Sequence, residues 1–218
     1  MKVYAYYERL PHDGFEDDPL LIEKWRACWT RHGWDTHVLD ESGAHAHPMW
    51  PVFASAAREW PTINPKGYEF ACWVRWLSLS TAMRPGETGL FVDYDVWNGG
   101  FTPADAAMHG RPEGPVGLFG GCGSSPVVLN KWQADAMGPL LYMGARLLLE
   151  EQPGIHHIAD MMALERVAKL GWMSQVRVCT TYGEEPRGNL VHVARDAAVR
   201  HGIAKDKAFD QLEDYYGH

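Results

Sequence analysis

The run Gly89-Leu90-Phe91-Val92-Asp93-Tyr94-Asp95-Val96 limits the fold more than any other part of the chain. Its apolar stretch reads as a buried strand. Asp93 and Asp95 stand at the end of that strand with one residue between them. In an extended chain residues i and i+2 point to the same side, so both carboxylates can converge on one point. Carboxylates that converge repel one another unless a cation lies between them. Oxygen ligands suit Mg²⁺ or Mn²⁺, whose open coordination positions the oxygens of a diphosphate can fill. A strand-end turn with two solvated aspartates is the competing reading of the same residues.

The segment ahead of this strand, Tyr68 to Leu79, is helical in pattern and apolar on most sides. Phe70, Trp73, Val74 and Leu77 share one face, and Trp76, Leu79 and Met83 cover much of another, which marks a buried helix. Arg75 sits in its middle. A buried guanidinium needs an anionic partner, and two are on offer: the Asp93/Asp95 pair or a bound diphosphate. A salt bridge that only fixes the loop is the alternative.

The chain opens with a β-rich run, Val3 to Tyr7. Asp18-Pro19 has the cap and first-turn residues of a helix whose apolar face is Leu21, Trp25, Cys28 and Trp29, and Gly33 stops it. Trp34 to Leu39 reads as a second strand, giving a β-α-β unit that favours parallel pairing. In open α/β sheets ligands bind beyond the carboxyl ends of the strands, so Asp40 is a candidate for nucleoside binding. His45 and His47 form an H-x-H pair without further ligands nearby and read as a surface loop. A helix is expected after Pro51, and Asn64-Pro65 is the expected start of the helix that holds Arg75.

Beyond Asp95, strands are expected at Pro115 to Phe119, Val127 to Asn130 and Gln175 to Thr180. Gly120 to Pro126 is glycine-rich but lacks the G-K-[ST] of a phosphate loop. The helix from Lys131 to Glu151 should break or kink at Gly138-Pro139. A later helix starts near Asp160 and stops at Gly171, and Asp160 at its start is favoured by the helix dipole. His192 lies in an apolar run, Leu190 to Val193, where a core histidine is one reading.

A helix with an arginine in its middle, the link Arg84-Pro85-Gly86-Glu87-Thr88-Gly89 and a strand ending in Asp93-Tyr94-Asp95 together resemble the donor-site region of metal-dependent glycosyltransferases of the GT-A fold. Small bacterial and viral sugar transferases with an Asp-x-Asp region are the most similar. The resemblance covers residues 66–98, and it departs from the usual pattern at Pro85-Gly86, where a glycine pair is customary. It implies an α/β, Rossmann-like mixed and mainly parallel sheet flanked by helices. It implies a nucleotide-sugar donor, a UDP-sugar first among them, held through Mn²⁺ or Mg²⁺ on Asp93 and Asp95. His192 resembles the late histidine that closes such a metal site. Tyr6 and Tyr7, with Glu8, fall where the first strand meets the nucleotide base. Asp160 falls where an acidic residue faces the acceptor as general base, with Glu69 a distant second, and Arg187 and Arg195 are weaker candidates for the diphosphate. The acceptor is left open among a saccharide, a protein, a small metabolite and a modified nucleic-acid base.

Three other functions compete. A nucleotidyltransferase usually carries a glycine- and basic-rich loop after its first strand, where this chain has Glu8-Arg9-Leu10-Pro11. A silent nucleotide-sugar-binding module would not need the Asp pair together with Arg75 and His192. A metal-dependent hydrolase usually needs more His and Asp ligands at fixed spacing. The length of 218 residues fits one domain. A formal net charge of −8 argues against a general nucleic-acid binder. No apolar run approaches a membrane span, there is no signal-peptide pattern, and the four cysteines are scattered; a reducing, cytoplasmic setting is the expectation.

Overall fold

A computed structural model of the chain describes residues 1–10, 19–109, 116–118, 126–169, 171, 173–175, 179–183, 189–194 and 200–216. The apolar run ahead of Asp93 does form a strand. β1 (Lys2–Tyr6) pairs in parallel with β2 (Asp35–Leu39) on one side and with β3 (Thr88–Phe91) on the other. β4 (Val96–Asn98) leaves this sheet, and β5 (Val116–Leu118), β6 (Val127–Asn130) and β7 (Met173–Gln175) extend it. The order is β2-β1-β3-β6-β5-β7, with β6 antiparallel to both its neighbours and β5 parallel to β7. The sheet is therefore mixed and mainly parallel, as the sequence implies. A smaller sheet is made by β4, β8 (Cys179–Thr181) and β9 (Leu190–His192), with β9 in the middle.

The helices are α1 (Pro19–Arg31), α2 (Glu41–His45), α3 (Trp50–Glu59), α4 (Lys66–Ala82), α5 (Pro103–His109), α6 (Lys131–Glu151), α7 (Asp160–Lys169) and α8 (Lys205–Tyr216). Strand alternation feeds two cores, one on each face of the large sheet. Val3, Ala5, Leu90, Val92 and Val128 pack with Trp25 and Trp29 of α1, Phe209 of α8 and the small sheet. Tyr4, Tyr6, Phe91, Val127 and Leu129 pack with α3, α4, α6 and α7. α4 lies deep in this second core: Trp73, Val74, Trp76, Leu77 and Leu79 have no exposed surface. No helix among the described residues is long and apolar enough to cross a membrane.

Several local expectations hold. The four residues of the α1 face are buried, and Gly33 ends that helix at φ 83°. Gly171, at φ 85°, ends α7. The capping expectation for Asp18 lies outside the described residues, as do those for residues 120–125, Arg187 and Arg195.

Others are corrected. His45 lies in a helix rather than a loop: Asp40 caps α2 by accepting from Gly43 N at 3.4 Å, and the His45 ring packs 4.3 Å from that of Trp50. Asn64 does not cap α4; Pro65 occupies the cap, and the Asn64 amide donates instead to Glu69 Oε2 at 2.8 Å. α6 runs through Pro139 unbroken, because a reciprocal cap between Asn130 and Gln133 fixes its start and Met137, Leu140 and Leu141 are buried in the core. The expected strand at Gln175 to Thr180 is two strands in different sheets. Alternation alone does not register that change of sheet.

α6 and α7 meet at Gly144, where an added Cβ would lie 2.8 Å from the Ala163 carbonyl oxygen and 3.2 Å from its Cα. The obstacle is largely backbone and cannot turn aside. Gly144→Val is expected to cost about 1–3 kcal/mol of stability by overpacking, read in urea denaturation. An unchanged midpoint would mean that α7 is free to shift.

Candidate active site

In the large sheet, β3 stops at Phe91, two residues before Asp93. The expected extended Asp-x-Asp is therefore a turn, in which Val96 N donates to Asp93 O at 3.1 Å. That turn, rather than strand alternation, brings the two carboxylates together. β4 follows at once and pairs antiparallel with β9, so that Val96 stands opposite His192. Val193 N donates to Asp95 O at 2.8 Å and pins the turn to the small sheet. Ligand atoms of Asp93, Asp95 and His192 lie within 4.8 Å of one another.

Asp93 and Asp95 are held by different cations. Arg75, on the central turn of α4, gives Nη1 to Asp93 Oδ1 at 2.6 Å. Its Nε and Nη2 go to Asp160 Oδ2 at 3.0 and 2.6 Å. Trp76 Nε1 donates to the same oxygen at 2.9 Å. The guanidinium also lies 5.6 Å from the Trp76 ring and 5.7 Å from the Phe91 ring. Burial by itself would lower the Arg75 pKa, but the carboxylates of Asp160 and Asp93 outweigh it and hold the charge firmly. On the other side, Asp95 Oδ1 faces His192 Nε2 at 3.2 Å and its Oδ2 takes the Lys205 ammonium.

The two aspartates differ accordingly. Burial pushes the Asp93 carboxyl above its ordinary range despite Arg75, and the charge of Asp95 adds to the push. Burial also works against ionised Asp95, yet Lys205 and His192 pull it well below the ordinary range. A buried carboxylate made uncomfortable by a second one is relieved by a cation between them. Two carboxylates and an imidazole form a donor set that Mn²⁺ accepts, and Mg²⁺ would rely more on the oxygens. On chemistry and spacing the three residues fit a divalent ion.

Of the residues named from sequence, Arg75, Asp93, Asp95, Asp160 and His192 come together. Tyr7 joins them through Tyr94, ring centroids 5.2 Å apart and edge to face. Tyr6 and Asp40 form a neighbouring group instead. The Tyr6 hydroxyl donates to Glu8 Oε2 at 3.4 Å, and the same oxygen accepts from Glu41 N at 3.0 Å. Burial and the nearby Glu8 raise the Tyr6 pKa. Asp40, exposed beyond β2, is occupied with Ser42 Oγ at 2.5 Å and with the start of α2. Asp160 is 2% exposed, and its Oδ2 accepts from Arg75 Nε, Arg75 Nη2 and Trp76 Nε1, the geometry of a counter-ion for Arg75.

Lys205 was invisible in the sequence. It is one of 20 lysines and arginines, with no spacing that ties it to Asp95, which lies 110 residues earlier. The packing of α8 against α1 and β4 puts it there. Its Nζ also lies 5.4 Å from the Tyr94 ring, and burial, which would lower its pKa, is outweighed by Asp95.

No protein-family model and no curated protein matches the sequence. Solved structures do match. The galactosyltransferase LgtC, in complex with donor and acceptor sugar analogs, superposes with a TM-score of 0.58 at 11% identity, covering 100% of this chain and 97% of that one. Mouse xyloside xylosyltransferase 1, in its apo form, superposes with a TM-score of 0.58 at 9% identity, covering 90% of this chain and 98% of that one. The chain has the fold of the GT-A glycosyltransferases, with an Asp-Asp-His cluster just beyond the carboxyl end of its third strand.

Proposed function

We propose that this chain is a metal-dependent glycosyltransferase that moves a sugar from a nucleoside diphosphate sugar to an acceptor hydroxyl. The observation that carries the reading is the cluster of Asp93, Asp95 and His192, backed by Arg75, on a GT-A fold. A sugar leaving its donor frees a nucleoside diphosphate that gains negative charge as the anomeric C–O bond breaks. Fixed positive charge at that place stabilises the change without reorganising, and Arg75 is fixed by two carboxylates, one of which the Trp76 indole also holds. Asp93, Asp95 and His192 would hold Mn²⁺ or Mg²⁺, which supplies Lewis-acid neutralisation of the departing diphosphate. Tyr7 and Tyr94 offer aromatic surface beside the acids for the base or the sugar, and Asp40 and Tyr6 line the next strand ends for the nucleoside. A UDP-sugar is the first donor to try. The acceptor belongs to the set of saccharides, proteins, small metabolites and modified nucleic-acid bases. We read the chain as one domain working in the cytoplasm, where the free thiols of Cys28 and Cys72 are at home.

The test is thermal stability against a panel of nucleoside diphosphates and nucleotide sugars, each with Mn²⁺, Mg²⁺ or EDTA. A ligand held by the folded state at a hundredfold excess over Kd adds about 2.7 kcal/mol. For a chain of this size that raises Tm by roughly 5–10 °C. The expected result is a shift of that order for one base, present with Mn²⁺ or Mg²⁺ and absent with EDTA. No shift for any nucleotide with either metal would overturn the donor assignment.

A further inference from the structure

The cation site holds a cation of its own. Asp95 offers a ligand atom to the cluster, yet both of its oxygens already have partners, His192 on Oδ1 and the Lys205 ammonium on Oδ2. The surrounding charges are three carboxylates, Asp93, Asp95 and Asp160, against two cations, Arg75 and Lys205. The ammonium is therefore the main partner that offsets Asp95 when the site is empty. A divalent ion held by Asp95 would lie within a few ångströms of that ammonium whichever oxygen it took, and the two cations would repel strongly across one carboxylate.

We propose that Lys205 is a built-in competitor for the metal: a divalent cation that takes Asp95 displaces the ammonium from Asp95 Oδ2. The inference rests on the metal-dependent reading above and adds to it a residue that sets the affinity of the empty enzyme for its ion. The exchange needs only the lysine side chain to move. α8 is tied down without Lys205: Lys24 Nζ reaches Asp210 Oδ1 at 2.6 Å and Asp206 O at 2.9 Å, Arg31 reaches Glu213 at 2.6 Å, and Trp97 Nε1 reaches Glu213 at 2.7 Å. Lys205 is the first residue of that helix, so its side chain can swing from a fixed base.

Two experiments test the exchange, both with the metal alone. In the first, Mn²⁺ is titrated into the full chain and into Lys205→Met, with free Mn²⁺ read by electron paramagnetic resonance. The variant is expected to bind Mn²⁺ at least tenfold more tightly, and Asp95→Asn in the same background is expected to lose that gain. Equal dissociation constants for the full chain and Lys205→Met would overturn the competition and leave the metal centre standing. No binding by either protein would overturn both this inference and the metal-dependent reading. The second experiment needs no variant. Lysine acylation followed by mass spectrometry should label Lys205 severalfold faster with saturating Mn²⁺ than with EDTA, because the displaced ammonium is no longer held on Asp95. Labelling that ignores Mn²⁺ at concentrations that fill the site would overturn the exchange even if Lys205→Met does not fold.

Discussion

Arg75→Met is expected to cost the fold about 3–5 kcal/mol, because it leaves the half-buried Asp93 and the buried Asp160 without their shared counter-ion. In a chain of this size that lowers Tm by roughly 10 °C or more. The loss should also depend on pH, and its direction can be worked out. Asp93 is already raised by burial, with Arg75 acting to lower it. Removing Arg75 raises it further, so in the variant the folded state holds a proton more tightly than the unfolded one. A carboxyl shifted that way favours folding below the ordinary carboxylate range and opposes it as pH rises through and above that range. The gap in Tm between the native chain and Arg75→Met should therefore widen from pH 5 to pH 8. Arg75→Lys should recover part of the charge but not the two-sided hydrogen bonding, and fall between them. A variant with unchanged Tm across this range would mean that the pair of ion bridges contributes nothing net.

The second large effect is on rate. Asp95→Asn keeps the shape of the side chain and removes its charge, and it is expected to lower metal-dependent release of nucleoside diphosphate from the donor by about 100–1,000-fold. That corresponds to roughly 3–4 kcal/mol of lost transition-state stabilisation. Steady-state rates measured at rising Mn²⁺ separate weaker metal binding from a slower chemical step. If the variant works within tenfold of the native chain at saturating metal, the centre is not built on Asp95. Circular dichroism should accompany the assay, because Asp95 also anchors Lys205 and His192.

The legible parts of this protein were those whose physics is local. The Asp93/Asp95 pair stood at the end of an apolar run, and Arg75 stood out as a charge in an otherwise apolar helix. Both signals need only a few neighbouring residues to be read. Even there the route was wrong in one respect: the carboxylates converge through a turn after Phe91, not through strand alternation. Apart from His192, which the resemblance supplied, pairing at long range could not be read. Nothing near Asp160 indicates that Arg75 and Trp76 claim its Oδ2. Nothing near Lys205 indicates Asp95. The reversed direction of β6 likewise depends on how β3 and β5 flank it, which no pattern within Val127 to Asn130 records.

The order of the strands also bears on biosynthesis. Among the described residues the last strand of the large sheet is β7, ending at Gln175, while His192 and Lys205 come later in the chain. A nascent polypeptide gains its parts from the amino end and can fold in that order. The ribosome therefore delivers Asp93 and Asp95 well before the imidazole and the ammonium that offset Asp95. During that interval the growing chain carries an anionic corner on an otherwise buildable scaffold. Asp95 gains both of its side-chain partners only when translation supplies those two late residues.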